Sequence, residues 1–328
     1  MQRARQTLED VARTAGVSRS TVSRVVNQQP GVAQAVRDEV WRVVDELGYE
    51  PDQTARALAS GRADVVDVVV IDDDANALGR NPYYGRVLAG VLDALTRTRV
   101  QLRMVLVPRA TSDAVLSTPE QVPALGTLLV NVPAALAEKI RRDRGPLVSM
   151  GRSAPLIPFI EPENASGIGT AVHHLYGLGR RRIAAIHGPQ HNPCGAGRRL
   201  GYLAAMREAG LEPIDIAGDF TRETGRRATL DLLAEHPDID AIVAACDFTA
   251  AGALQALAQS GRRVPHDVAV VGFDDSVIAA TASTPLTSVH QPVEHIAATA
   301  TRALLNQHGS NMRTMVATSL TVRASTAG

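Results

Sequence analysis

Residues 7–27 read TLEDVARTAGVSRSTVSRVVN. Leu8, Val11, Ala12 and Ala15 recur at helical spacing, and Gly16 stands where the chain has to turn. Ser18 can cap a second helix, whose Val22, Val25 and Val26 form one apolar face. The opposite face carries Arg19, Ser20, Ser23 and Arg24. This is the build of a helix-turn-helix, whose second helix enters the major groove of DNA. An Arg-bearing face is also what an ordinary solvated helix shows, so periodicity alone leaves both readings open.

Working outward, the spacing predicts a third helix over residues 33–47, with Val36, Val40, Val43, Val44 and Leu47 on one face and Trp41, the only tryptophan, within it. Gly48 is its stop signal. A break at Tyr49-Glu50-Pro51-Asp52 precedes a short helical pattern from Gln53 to Ser60. A helix that short does not stand alone in water. It is either a linker helix or one held by DNA or a second subunit.

From residue 64 the pattern changes. Val65–Ile71 is a short continuous apolar run, as a strand buried on both faces requires, and similar runs follow at 102–107, 126–132, 146–150, 183–186, 241–245 and 268–273. Helical stretches lie between them, at 84–96, 166–177, 197–209, 226–234 and 250–258. The alternation predicts parallel sheets with crossover helices, in two doubly wound subdomains with a ligand cleft beyond the strand ends.

Composition narrows the class. A chain of 328 residues suits two or three domains, and 45% apolar and 21% charged residues are ordinary for a soluble protein. No apolar run reaches the roughly 18 residues of a membrane span. MQRARQTLED has no apolar core of a signal peptide, and two cysteines build no disulfide framework, so a bacterial-type cytoplasm is expected. Net charge is zero, yet residues 1–31 hold five arginines against two acids.

Val17-Ser18, followed by Thr21-Val22-Ser23-Arg24-Val25-Val26-Asn27, closely resembles the headpiece of the LacI family of bacterial transcription regulators. The likeness continues along nearly the whole chain. Its matching segments are Asn81-Pro82-Tyr83-Tyr84, Leu178 to Ala184, Arg198-Arg199-Leu200-Gly201-Tyr202, Gly218-Asp219-Phe220, and Val264-Pro265 through Val271-Gly272-Phe273-Asp274-Asp275. The resemblance implies an all-α helix-turn-helix headpiece (1–50) with a hinge helix and linker (51–63), then an α/β effector-binding and dimerisation region (64–328). That region is two doubly wound parallel-sheet subdomains around a ligand cleft, one of about 64–163 and 292–322, the other about 164–291 and 323–328. The chain crosses between them near residues 163, 291 and 322. No leucine heptad trails before Gly328, so a homodimer is expected.

The same resemblance implies residue roles. Arg19, Ser20 and Arg24 read base edges; Thr7, Ser18, Ser23 and Asn27 hold phosphates; Leu58 wedges into the minor groove. Arg198 and Asp274 contact the effector, a pairing of planar donor fork and two acceptors that suits vicinal hydroxyls. Phe220 stacks on a ring unless it is a core residue, one of Tyr83 and Tyr84 lines the cleft while the other packs, and Asn192, Cys246 and Asp247 add contacts. Departures from the family are Asp52 after the proline, Cys246 where a polar pair is usual, Glu163-Asn164 where Asp-Asn is frequent, and an irregular stretch at 108–125. Asp275 is expected to be structural.

Other patterns carry less. Asp72-Asp73-Asp74 could hold a cation but reads better as a solvated loop. His187 and His191 are separated by Gly188-Pro189 and so do not share a helix face for zinc; Gly167-Ile168-Gly169 lacks the third glycine of a dinucleotide loop. No catalytic constellation and no cofactor motif is found. The expectation is an effector-responsive regulator, a repressor first, binding a pseudo-palindromic operator and a sugar or polyol. The alternatives are an activator of the same architecture, a nucleoside-responsive regulator, a transport-type sugar-binding protein, and an α/β nucleotide-dependent enzyme. The last would need a phosphate-cradling glycine loop where Asp72-Asp73-Asp74 stands.

Overall fold

The computed structural model describes residues 7–26, 31–47, 64–74, 76–96, 98–112, 124–143, 146–306 and 312–327. The hinge segment, with Leu58, and Asn27 and Gly48 lie outside the described residues. Two compact units divide at Asp64 and Val65.

In the first unit, α1 (Leu8–Thr14), α2 (Arg19–Val26) and α3 (Gln34–Leu47) form a three-helix headpiece. Thr7 caps α1 reciprocally with Asp10, satisfying donors at the helix start. Gly16 takes a positive φ of 67° in the turn, a conformation that costs a side-chain-bearing residue more. Val11, Ala12, Val22, Val25, Val26, Val40, Val43 and Val44 make the core. Val22 therefore packs inward rather than facing a groove.

From Val65, strands and helices alternate: β1 (Val65–Ile71), α4 (Pro82–Leu95), β2 (Gln101–Val107), β3 (Gly126–Val130), α5 (Ala134–Asp143), β4 (Leu147–Met150), β5 (Phe159–Pro162), α6 (Asn164–Gly177) and β6 (Ile183–Ile186). Next come α7 (Pro193–Glu208), β7 (Ile214–Ile216), α8 (Arg222–Glu235), β8 (Ala241–Ala244), α9 (Asp247–Gln259), β9 (Ala269–Asp274), β10 (Thr287–His290), α10 (Val293–Leu305), β11 (Arg313–Val316) and β12 (Ser319–Thr321). They build two six-stranded sheets, ordered β11-β5-β4-β3-β1-β2 and β12-β10-β9-β8-β6-β7. All pairings are parallel except that of β12 with β10. Each sheet is covered on both faces by helices, which is why its central strands are mostly apolar; buried Asp67 in β1 is an exception and accepts from Arg103 Nε at 2.7 Å.

The chain passes from the first sheet to the second after β5, returns after β10, and crosses a third time at residues 317–318. That last crossing falls earlier than the expected position near 322, because Ser319–Thr321 pairs antiparallel with Ser288–His290 and already belongs to the second sheet.

Helices α8 and α9 cross where Gly225 and Gly252 let the backbones touch. A Cβ on Gly252 would overlap the carbonyl oxygen of Arg222, and one on Gly225 that of Thr249. Backbone cannot yield as a flexible side chain does, so Gly252→Ala is expected to destabilise the second subdomain by about 2–3 kcal/mol. Urea denaturation checks this, and an unchanged midpoint would remove the close approach.

Candidate functional site

In the headpiece, the face of α2 opposite its valines exposes Arg19, Ser20 and Arg24, with Ser23 partly buried. Arg19 Nε lies 3.0 Å from Glu9 on α1, and both side chains are more than half exposed. Water screens such a pair, which is worth little, so it yields readily to a better partner. Ser18 accepts from Thr21 N at 3.1 Å and Thr7 from Asp10 N at 3.3 Å, so the two hydroxyls that the sequence assigns to phosphates also cap the helices.

Between the two subdomains lies a cleft of about 770 Å³. It opens beyond the carboxyl ends of β1, β2 and β3 on one side and of β6, β8 and β9 on the other, the position that doubly wound sheets reserve for ligands. Of the eight residues expected there, Tyr83, Tyr84, Asn192, Arg198, Phe220, Cys246 and Asp274 line it.

Asp247 does not. It is buried in the first turn of α9, where Oδ1 accepts from Ser288 Oγ at 2.5 Å and Oδ2 from Ser276 N at 2.7 Å. The bare Cα of Gly272 makes room for it. Its carboxyl ties the strand ends together instead of meeting a ligand. Burial, with Asp274 nearby, pushes its pKa up to about 7.

Arg198, on α7, is the best-anchored group in the cleft. Its Nε donates to Asn164 Oδ1 at 2.9 Å, Nη1 donates to the Ala245 carbonyl at 2.5 Å and lies 3.7 Å from Asp274 Oδ1, and the guanidinium sits 3.6 Å from the centroid of Phe273. Asp274 also accepts from Gln291 Nε2. Burial raises the Asp274 carboxyl while Arg198 pulls it back. Its φ of 111° turns the chain sharply at the end of β9. Asp275 binds Arg323 at 2.7 Å and Thr321 at 3.0 Å, a structural role.

The aromatic wall differs from expectation in one respect: both tyrosines border the cleft. Tyr84 is buried and donates to Asp72 Oδ2 at 2.8 Å, while Asn131 donates to the Tyr84 hydroxyl at 3.2 Å; Tyr83 stands edge-on to it, with burial raising its phenol. Phe220 holds a positive φ of 67°, and its ring lies so close over Gly188 that any side chain there would collide with it. Both cysteines are unpaired and line the cleft, and burial raises Cys194 and carries Cys246 up to about 12. Neither is a thiolate at neutral pH.

Asn192 and Cys246 act first on backbone. Asn192 Oδ1 accepts from Cys194 N at 2.9 Å and Cys246 Sγ from Thr249 N at 3.5 Å, each capping a helix. The acids after β1 are engaged: Asp72 with Tyr84, Asp73 with Arg109 and Asp74 with Arg80. Among the described residues no cluster fit for a metal ion is found.

Sequence reasoning missed Asn164, Gln291 and Arg86. Arg86 on α4 donates to the carbonyls of Asp274 at 2.8 Å and Gln291 at 3.1 Å and pairs with Glu294 at 2.7 Å. It thus joins the first subdomain to the end of β9. No local pattern announces such a contact across about two hundred residues.

Comparison with known proteins places this geometry. Residues 7–52 match the profile of bacterial regulatory proteins of the lacI family, and 172–326 that of a periplasmic binding protein-like domain. The transcriptional regulator CelR of Thermobifida fusca is 37% identical over 315 residues, covering 93% of this chain and 92% of that one. A solved CelR–cellobiose complex superposes with a TM-score of 0.72 at 35% identity, covering 98% of this chain and 100% of that chain. The lac repressor dimer bound to operator and the anti-inducer ONPF gives 0.77 at 26% identity, with 98% and 99% covered. A headpiece matched by one profile, a core matched over 172–326 by a second, and a relative 37% identical over 93% of the chain leave one assignment: this chain belongs to the lacI family of bacterial regulatory proteins and is a transcriptional regulator, not an enzyme.

Proposed function

We propose that the chain is a cytoplasmic, homodimeric repressor whose operator affinity is set by a sugar or related polyol held between its two subdomains. The observation that carries this is the buried Arg198–Asp274 pair beside Phe220, in a cleft whose walls belong to different subdomains. A ligand touching both walls has different affinities for open and closed arrangements, and that difference is the coupling energy available to the DNA-binding unit. The relative solved with cellobiose supports the sugar class. A nucleoside is the second reading, favoured by Phe220 and Phe248 at the cleft and by Cys246 in place of an amide.

The test has two steps. Selection of random duplex DNA by the purified protein should return a palindrome with a deformable central step. Cellobiose and a panel of other sugars should then change affinity for that duplex. Enrichment of no sequence, or insensitivity to every sugar, would reject the corresponding half of the reading.

On the DNA side, Arg19, Ser20 and Arg24 meet base edges, with Thr7, Ser18, Ser23 and Asn27 on the backbone and Leu58 in the minor groove. Arg19→Ala is expected to cost about 1–3 kcal/mol of operator affinity and to relax preference at one base position per half-site. Binding to a substituted duplex library measures it. A uniform loss across all sequences would instead make Arg19 a phosphate contact.

A further inference from the structure

The charges around the cleft say which ligands it refuses. Among the described residues, six carboxylates and four guanidinium groups line it. His191 does not offset that excess, since burial and Arg109 both depress its pKa, and Arg109 Nη1 lies 3.2 Å from its Nδ1. One of the four arginines is held in a buried pair, Arg198 with Asp274 at 3.7 Å; Arg80 with Asp74 at 3.5 Å and Arg109 with Asp73 at 3.3 Å are exposed pairs that water screens, so they balance charge without locking the arginine. The fourth, Arg222, sits at the exposed rim, where water screens it.

Backbone offers an anion no better reception. Proteins commonly hold phosphate on the free N–H groups of a helix N-terminus. Among the described residues, four helices of more than one turn begin at this cleft, and each is capped by its own side chain: α4 by Asn81 on Tyr83 N at 3.0 Å, α7 by Asn192 on Cys194 N at 2.9 Å, α8 by Thr221 on Thr224 N at 3.1 Å, and α9 by Cys246 on Thr249 N at 3.5 Å; the single turn Ala77–Arg80 starts there without a side-chain cap. Helix α8 also carries Glu223 in its first turn, where a carboxylate occupies the favourable end of the dipole.

We infer that the cleft is built for an uncharged ligand and rejects the phosphorylated or carboxylated form of the same molecule, with Asp274 as the residue that denies Arg198 to an anion. This rests on the effector reading above and narrows it to neutral glycans. A phosphate ester brings nearly two negative charges at neutral pH. To bind, it would have to displace an internal carboxylate or a cap, or accept like charge in a desolvated space.

The experiment uses the full-length protein, with calorimetry and thermal shift at constant ionic strength. The probes are cellobiose, glucose, glucose 6-phosphate and inorganic phosphate. Neither phosphate species should give a saturable response or compete with a bound neutral sugar, and any phosphorylated sugar should bind at least about a hundredfold more weakly than its neutral partner. Asp274→Asn should gain a saturable stabilisation by inorganic phosphate that the further change Arg198→Ala removes. Saturable phosphate binding by the unmodified protein that depends on Arg198 would overturn the inference. An Asp274→Asn protein indifferent to phosphate would overturn the part given to Asp274. If every neutral sugar fails while phosphate still fails on the unmodified protein and succeeds on Asp274→Asn, the sugar reading falls and the charge rule stands.

Discussion

Arg198→Ala abolishes the response to effector and leaves operator binding in its absence near normal. The guanidinium is buried, yet its contacts with Asn164 and the Ala245 carbonyl use only part of its donor set, so donors remain for a ligand at the cleft wall. Charge-assisted hydrogen bonds of this kind are worth about 1.5–3 kcal/mol each, so losing them lowers effector affinity by on the order of a hundredfold or more. Helix α2 belongs to the other compact unit, so its own packing is untouched. Truncation also strands Asp274, and breaking a buried pair by removing one member can cost about 3–5 kcal/mol. Arg198→Lys therefore belongs beside it, since Lys keeps the charge but not the planar fork. Fluorescence anisotropy on the selected duplex, titrated with effector, reads both quantities. A normal response from a folded Arg198→Ala protein would remove Arg198 from the site.

How far the sequence reaches can be followed residue by residue. The headpiece is readable because three helices carry uninterrupted apolar stripes, and β1, β3 and β8 because a strand covered on both faces has no polar side to hide it. The strands β5 and β10 escape because polar residues interrupt their apolar runs, as FIEP and TSVH, and β7, β11 and β12 because they are short edge pieces with exposed positions. The site divides in the same way. Arg198, Asp274 and Phe220 stand at the ends of recognisable segments, and the structure brings them to one cavity. Asn192 is expected only as an effector contact and its capping role is missed, although asparagine before a proline at the first helical position, as at Asn81-Pro82 and Asn192-Pro193, is the signal for it. What no local pattern supplies is the partner across the fold. Gln291 behind Asp274 and Ser288 behind Asp247 are set by strand register, not by spacing along the chain.

Asp247→Asn flattens the pH dependence of stability between about pH 5 and 8, because it removes one buried carboxyl with no cation within ion-pair distance among the described residues. Asp274 faces it from β9, Arg86 acts on it from α4, and Ser276 and Ser288 hold its oxygens. An aspartate titrates near about 3.9 in the unfolded chain, and this one is carried up to about 7 in the fold. The protonated carboxyl is the form the fold prefers, so its stabilising contribution is complete below the unfolded value and is lost as pH climbs through the folded one. The expected loss is on the order of 2–4 kcal/mol across that window. Asparagine occupies the same space, can accept from Ser276 N, and can turn its amide donor toward Ser288 Oγ. It carries no charge at any pH, so the variant keeps its stability where the unmodified protein loses it. Groups remote from residue 247 cancel in the difference of their melting curves, which leaves the contribution of residue 247 together with its effect on Asp274. Parallel curves from pH 5 to 8 would mean that Asp247 stays ionised throughout and that Ser276 and Ser288 suffice to hold its charge.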